Sequence, residues 1–526
     1  MGHRTCRGLG YGTAVGQPET VVIRRDALAR QEVVAVARQD APVRLDDGVT
    51  EGMERSRKHV ESHLGDDRPV YGITTGFGAL ADVRVGPDDL EALQHNLLRS
   101  HAAGTGPLLP AEVVRGMMLL RARTLAAGWS GVRPVLVERL TDLLNRGITP
   151  AVPSRGSVGA SGDLAQLAHI ALCLIGEGAV FDDGGAVPAA EVLGRAGLEP
   201  LRLEAKEGLA LINGTDGMAA LGVLALHDAE GLLTSADVTA AMTIEAALGT
   251  DRPFAEDLMT LRPHPGQAES AANLRALLMG SGIVASHRDS EHAVQDPYSM
   301  RCAPQVHGAA RDAARFAAEV LDRELRSVID NPVILDDGRV ESTGNFHGEP
   351  LAYAMDLLAV ALTGIASISE RRTYWLLGPG QHRGLPPFLS TSAGLGSGYM
   401  LAQYTQAALV SECKVLGHPA ALDSIPTSGT QEDHVSMGWL SGLKLRDIVD
   451  HVTAVLAIEA LCAAQALDVR EPEPAPATSA ARAAVREAVP FLDRDRDVSA
   501  DVDRAVGLIR EGTLAAAAER STGGLR

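Results

Sequence analysis

Residues 154–170 read SRGSVGASGDLAQLAHI, in which the triplet Ala160-Ser161-Gly162 follows two further glycines and directly precedes a helix start. Leu164, Leu167, Ala168, Ala171, Leu172 and Ile175 recur at helical spacing, which predicts a helix with Gly162 and Asp163 in its first turn. The triplet therefore faces a helix N-terminus, with its partial positive charge and open N–H groups. An ordinary turn, a helix cap and a phosphate loop are the plain readings of so small a run. The phosphate loop fails, because neither GxxxxGK[ST] nor a complete GxGxxG is present and no strand clearly precedes the run. A chemical reading stands beside the turn and the cap. The Gly162 nitrogen, with no Cβ beside it, can approach the Ala160 carbonyl carbon and close a five-membered ring. Two dehydrations, one removing the Ser161 hydroxyl, then give a methylidene-imidazolone, an electrophile made from the chain itself.

Around this stretch the composition predicts a mainly α protein. Of 526 residues, 45% are apolar and only 3% aromatic, with long Ala/Leu-rich runs between Gly and Pro punctuation. The formal net charge of -19 sets the long-range field against nucleic acid and anionic membranes, so neither is expected as a partner. Cys6, Cys173, Cys302, Cys413 and Cys462 are scattered and never in CxxC spacing, which argues against a disulfide framework or a zinc site and fits a reducing cytoplasm. The histidines lack HExxH spacing, and no metal is expected.

Residues 1–20 lack the apolar core of a signal peptide and read as a disordered extension. Residues 21–133 read as a smaller N-terminal domain that carries the glycine-broken "RPVYGITTGFGALADV". Residues 134–470 read as a long central helical bundle and 471–526 as a C-terminal helical segment beyond the Pro/Ala-rich break "EPEPAPATSA". In "TSADVTAAMTIEAALG", Thr234 or Ser235 reads as a helix cap and Gly249 as the helix end. Two short hairpins, near Asp182 and Asp336, decorate the helical body.

The stretch "GSVGASGDLAQLAHI" closely resembles the active-site motif of the aromatic amino acid ammonia-lyases and aminomutases. The resemblance runs from about Val21 to Arg510, through "VYGITTGFG", "LRSHAAGTG", "KEGLALINGTDGM", "RPHPGQ", "VQDPYSMRCAPQV", "SVIDNP", "NFHGEP", "GLPPFL" and "QEDHVSMG" in family order. It implies a fumarase/aspartase-like core of long, nearly parallel helices and a homotetramer with active sites shared between subunits. It also implies a methylidene-imidazolone formed from Ala160-Ser161-Gly162, with no metal or diffusible cofactor.

The same resemblance assigns roles. Tyr71 is the β-proton base on a loop that acts as a lid. A phenol of pKa about 10 needs nearby cations or donors for that task. Tyr298 serves the electrophile and proton traffic, and Gln295 gives polar support. Arg301 grips the substrate carboxylate, which suits a bidentate guanidinium. Asn213 supports the ring and the carboxylate, and Phe346 lines the pocket. Without the resemblance, these residues read as a loop anchor, a surface arginine, an Asn-Gly turn and a core aromatic.

Ser100-His101 matches the pair in family members acting on histidine, although some tyrosine aminomutases share it. Glu432 stands where the histidine enzymes have an acid. A carboxylate can accept an imidazole N–H and is poorly matched to a plain phenyl ring, and His101 could complete an imidazole clamp. The implied reaction is conversion of L-histidine to trans-urocanate and ammonia. A tyrosine or other aromatic aminomutase on the same scaffold, and a catalytically silent homologue, remain as alternatives. Two departures stand out: Gln166 in place of the proline usual after "GDLA", and Thr74 where the first loop commonly has Asn.

Overall fold

The computed structural model describes residues 18–64, 69–182, 185–289, 293–378 and 383–526. The extension expected over residues 1–20 therefore lies, up to residue 17, outside the described residues. The expected mainly helical architecture is what the chain adopts. Seven helices position the site: α1 (Leu90–His101), α2 (Leu164–Leu174), α3 (Glu207–Ile212), α4 (Asp216–Ala246), α5 (Ala303–Glu324), α6 (Glu349–Leu377) and α7 (Gly438–Asp468). Helices α4, α6 and α7 pack on one another along much of their length, and α5 lies against α4 and α6. At about 1.5 Å per residue, the 31 residues of α4 span roughly 45 Å.

Helices α4 and α7 are buried on almost every face, the signature of helices surrounded by other helices. One cluster of buried side chains runs from Val21 to Ala518 and takes in every helix named above. Helix α6 alone among the described residues is long and apolar enough to cross a membrane, yet 56% of its apolar window is buried inside the protein.

Strand content is small. The hairpins expected near Asp182 and Asp336 form as antiparallel pairs, Ala179–Asp182 with Gly185–Pro188 and Val333–Ile334 with Val340–Glu341. The turn residues 183 and 184 lie outside the described residues. Two further pairs, Val21–Ile23 with Val43–Leu45 and Thr105–Leu108 with Pro153–Arg155, join segments distant in sequence and leave no local signal. The helix start expected at Thr234 or Ser235 does not occur. Helix α4 runs through both, Ser235 is buried inside it, and the Thr234 hydroxyl donates back to the Glu230 carbonyl (3.4 Å), the helical alternative to capping. Gly249 lies three residues beyond the helix end at Ala246.

A buried polar network ties the helices together at the end where α4 finishes. Fully buried Asp237 of α4 accepts from His307 Nδ1 (2.7 Å), Ser270 Oγ (2.6 Å), Asn273 Nδ2 (2.9 Å) and Arg311 (2.7 Å). His307 Nε2 faces Arg372, which is paired with Glu459 of α7. Burial opposes ionisation of Asp237, but Arg311 and the His307 N–H more than offset it and hold the carboxyl well below the usual range. An Asp237→Ala chain is expected to lose about 3–5 kcal/mol, because four donors, the Arg311 cation among them, are left without their partner. Since the carboxyl ionises more readily folded than unfolded, this stabilisation is present above about pH 4 and lost as pH falls further. Thermal melts between pH 7 and pH 3 should show the gap between wild type and variant narrowing in acid; a constant gap would mean that the charge is not its source.

Candidate active site

The Ala160-Ser161-Gly162 loop lies where the N-termini of four helices converge. Asp163 stands at the N-cap of α2, and its carboxylate accepts from Met218 N in the first turn of α4 (2.8 Å). Gly348, the N-cap of α6, donates to the Gly159 carbonyl (3.2 Å), and Met437, the N-cap of α7, donates to Val158 (2.9 Å). Four partially positive helix ends thus surround one loop, a setting that favours electron-rich groups.

The loop backbone is held in a conformation with little slack. Ser161 has φ +49°, sparsely populated for a side-chain-bearing residue, and Gly162 has φ +72°. Asp163 N donates to the Gly214 carbonyl (2.8 Å), and Gly162 bridges to Gly214. A Cβ at Gly162 would fall 1.8 Å from the Gly214 oxygen, so only glycine fits. From the other side, Ser157 Oγ donates to the Gly162 carbonyl and to Asp163 Oδ1, both at 3.2 Å. Complete burial, with Asp216 nearby, pushes the Asp163 carboxyl up to about 7 against the pull of Met218 N–H and Ser157. Buried Gln166 donates to the Pro153 carbonyl (3.3 Å), so the residue in the usual proline position ties α2 to the strand before the loop.

Several of the expected site residues gather here. The Ser161 hydroxyl donates to Glu432 Oε1 (3.4 Å), whose other oxygen accepts from Thr427 Oγ1 (2.6 Å). Ser428, Gly429 and Thr430 all have positive φ, and Ser428 Oγ accepts from Ala79 N (3.4 Å) in the loop that carries Tyr71. The Tyr71 hydroxyl accepts from Gly78 N (3.5 Å), and Thr74 closes the turn by accepting from Val70 N (2.9 Å). Burial pushes the Tyr71 phenol up against the Gly78 N–H, with Glu432 and Asp330 adding to the rise. The phenolate-favouring cations expected from the sequence do not act on Tyr71 among the described residues of this one chain.

His101 ends α1 with Nδ1 2.9 Å from the Leu97 carbonyl, which can only accept; the proton therefore sits on Nδ1 and Nε2 presents a lone pair. Burial lowers its affinity for a second proton, against the influence of Leu97 and of Glu432. Asn213, the C-cap of α3, donates to the Asn331 carbonyl (2.8 Å) and to Asp330 Oδ1 (3.3 Å), and its own Oδ1 is buried with no partner among the described residues. Half-buried Phe346 lies two residues ahead of Gly348.

Tyr298, Gln295 and Arg301 are not part of this cluster. Tyr298 and Gln295 are exposed, Arg301 stacks over the Tyr298 ring (4.5 Å), and Arg301 Nε donates to the Asp296 carbonyl. Asp296 in turn accepts from Thr250 N, beyond the last residue of α4, whereas the Ser161 loop sits at the first turn of that helix. The length of α4 therefore puts roughly 40 Å or more between the two groups within one chain.

The residues fit the prosthetic group that the motif implies: a side-chain-free nitrogen at Gly162, a tightly held turn, a serine at its centre and an unpaired buried amide oxygen alongside. His347, Glu349 and His434 bring potential metal ligands within 4.8 Å of one another. Both ring nitrogens of His347 are already engaged, Nε2 with the His434 carbonyl (3.2 Å) and Nδ1 with Glu349 N (3.4 Å), which is the arrangement of a histidine that holds structure.

Sequence reading missed Lys206, Asp330 and Thr427. The available signal was a charged residue inside each of the blocks "KEGLALING" and "SVIDNP".

The sequence profile of the aromatic amino acid lyase family matches residues 28–487. A histidine ammonia-lyase from Streptomyces coelicolor is 51% identical over 510 residues, covering 96% of this chain and all of the relative. One from Gloeobacter violaceus is 53% identical, covering 95% and 97% of the two chains. Among solved structures, tyrosine aminomutase from Streptomyces globisporus superposes with a TM-score of 0.92 at 39% identity over 96% of this chain and all of that one. Histidine ammonia-lyase from Trypanosoma cruzi superposes with a TM-score of 0.88 at 38% identity over 95% of each.

Proposed function

From the premise that this chain belongs to the aromatic amino acid lyase family, we propose that it deaminates L-histidine non-oxidatively to trans-urocanate and ammonia, the first step of histidine degradation. It is a carbon–nitrogen lyase. The observation that carries the substrate assignment is Glu432, half-buried beside Ser161 and braced by Thr427. A carboxylate so placed can accept an imidazole N–H, and the lone pair on His101 Nε2 offers a second acceptor across the ring. Curated relatives at about half identity, all named histidine ammonia-lyase, support the same substrate.

The methylidene-imidazolone that would close from Ala160-Ser161-Gly162 supplies an electrophilic carbon that turns the substrate amine into a leaving group. Gly162 and Asp163 hold its backbone, and Asn213 stands beside it. Tyr71 takes the β-proton. Arg301 grips the carboxylate through two parallel hydrogen bonds, and Tyr298 and Gln295 work beside it. Phe346 lines the pocket.

Because Arg301, Tyr298 and Gln295 lie at the far end of the bundle from the Ser161 loop of their own chain, they can serve only the loop of another copy. Helix α6 has the surface for such an assembly: Tyr353, Leu357 and Val360 repeat at helical spacing and are 56%, 44% and 48% exposed. A homotetramer with shared sites accounts for both features. The soluble helical body and the buried thiols of Cys173, Cys413 and Cys462 fit a cytoplasmic setting.

Purified protein given L-histidine, L-tyrosine and L-phenylalanine separately should yield urocanate from histidine, followed by its ultraviolet absorbance and by chromatography. A β-amino acid or coumarate would instead assign an aminomutase or another lyase on this scaffold, and no product from any of the three would favour the silent homologue. Glu432→Gln is expected to lower kcat/KM for L-histidine about 10- to 100-fold, the worth of a hydrogen bond to a charged group. An unchanged kcat/KM would take Glu432 out of substrate recognition.

A further inference from the structure

Behind the candidate site lies a buried ion pair with no part in the chemistry assigned so far. Lys206 Nζ and Asp330 Oδ2 are 2.7 Å apart, and both side chains are fully buried. Taking two charges out of water is costly, and a hydrophobic pair of similar size is often at least as stable, so stability is a weak account of this one. Lys206 also has φ +76° at the N-cap of α3, a conformation that side-chain-bearing residues rarely adopt.

The pair touches one proposed active-site group, Asn213, and lies beside the segment that carries the loop of another, Tyr71. Asp330 Oδ1 accepts from Asn213 Nδ2 (3.3 Å) and from Asn331 N (2.7 Å), while Asn331 O accepts from the same Asn213 amide (2.8 Å). The Asn213 carboxamide is thereby fixed in one orientation. On the other side, the Tyr71 loop rests on the same segment: a Cβ at Gly72 would lie 3.1 Å from Pro332 and 2.7 Å from Leu209 of α3. Charged groups act on Tyr71 from two neighbouring segments. Glu432 comes from the loop before α7 and Asp330 from the segment after α5, backed by Lys206. A cavity of about 650 Å³ on the outer side of Tyr71 is lined by His59 and His63 of the helix Val49–His63 and by Asp337 and Arg339 of the second hairpin.

We propose that Asp330 and Lys206 are the positioning pair of this site: Asp330 orients the Asn213 carboxamide and adds to the charge that Tyr71 faces, and Lys206 holds Asp330 in place and offsets part of that charge. This rests on the reading of Tyr71 as the base. Removing the anion eases ionisation of Tyr71, and removing the cation alone hinders it. Without Lys206, Tyr71 would face two uncompensated carboxylates.

The test is a pH titration of Tyr71 in the full-length protein, read as the tyrosinate ultraviolet signal that is lost in Tyr71→Phe, together with kcat/KM for L-histidine against pH. Asp330→Asn keeps an acceptor for Asn213 and should shift the Tyr71 titration and the rising limb of kcat/KM toward acid. Lys206→Met should shift both toward alkali. Should that variant fail to fold, the uncharged double variant Lys206→Met/Asp330→Asn, which leaves no lone buried charge, should fold and shift the Tyr71 titration toward acid by less than Asp330→Asn does. A Tyr71 titration identical to wild type in Asp330→Asn and in the double variant would overturn the proposal, as would a fall in kcat/KM with no shift in its profile. If the enzyme turns over none of the amino acids, the functional reading fails while the spectroscopic shift still decides the role of the pair.

Discussion

A Ser161→Ala chain is expected to fold and assemble as wild type does, yet to convert L-histidine at least about 10³-fold more slowly, because covalent activation of the amine is lost. Folding should survive because the Ser161 side chain makes a single 3.4 Å hydrogen bond to Glu432, while the loop is held by backbone and by Ser157 and Asp163. The arrangement of the bundle makes a sharper form of this result available. Arg301→Ala should be comparably inert, since nothing else at its position offers a bidentate grip on carboxylate. Co-expressing the two dead chains should nevertheless restore about one quarter of wild-type activity, since a site drawing its serine and its arginine from different, randomly mixed subunits is intact about one time in four. Urocanate production by the co-purified mixture checks this, and a mixture as inactive as its components would mean that each site takes both groups from one chain.

Tyr71→Phe is expected to lower kcat by about 10² to 10⁴, the usual worth of a positioned general base. Phenylalanine fills the same space, and the lost hydroxyl costs the fold only a long 3.5 Å contact with Gly78 N, so thermal stability should stay near that of wild type. Within one chain, burial and two carboxylates hold this phenol in its neutral form. Under the proposed assembly the ionised form would depend on groups brought by a second subunit, with Arg301 as the cation. Near-normal turnover in Tyr71→Phe would remove Tyr71 from the mechanism.

The helical body and the site loop were legible in the sequence because both are local. The apolar period after Asp163 marks α2, although the helix starts only at Leu164, with Asp163 as its N-cap and Gly162 outside it at positive φ rather than both in the first turn; the glycines around Ser161 mark a turn that the backbone makes. Thr234 and Ser235 misled because a capping residue inside a helix looks the same in sequence as one at its start. Only the continuous burial of α4 on its neighbours decides between the two. The parallel pair of Val21–Ile23 with Val43–Leu45 was invisible for a related reason, since its pairing depends on what folds between the strands. The motif blocks named Tyr71, Asn213, Glu432 and Arg301 together but could not show that a helix of about 45 Å separates the last from the others. Asp330 and Lys206 stayed hidden because their meaning is a charge balance in three dimensions, and the blocks that contain them are 124 positions apart.

The length of α4 also bears on the order of events in the cell. Gly214, Met218, Gly348 and Ser157 of its own chain already hold the Ser161 turn, so under the proposed reading ring closure would draw on the contacts of one subunit. Under the proposed shared sites, catalysis would need a neighbour. A newly made subunit can therefore finish its own half of the reaction centre while it is still solitary and harmless to the amino acid pool, and it gains activity on meeting other subunits. Dilution should silence such an enzyme with its prosthetic chemistry intact, and concentration should revive it without a lag for maturation.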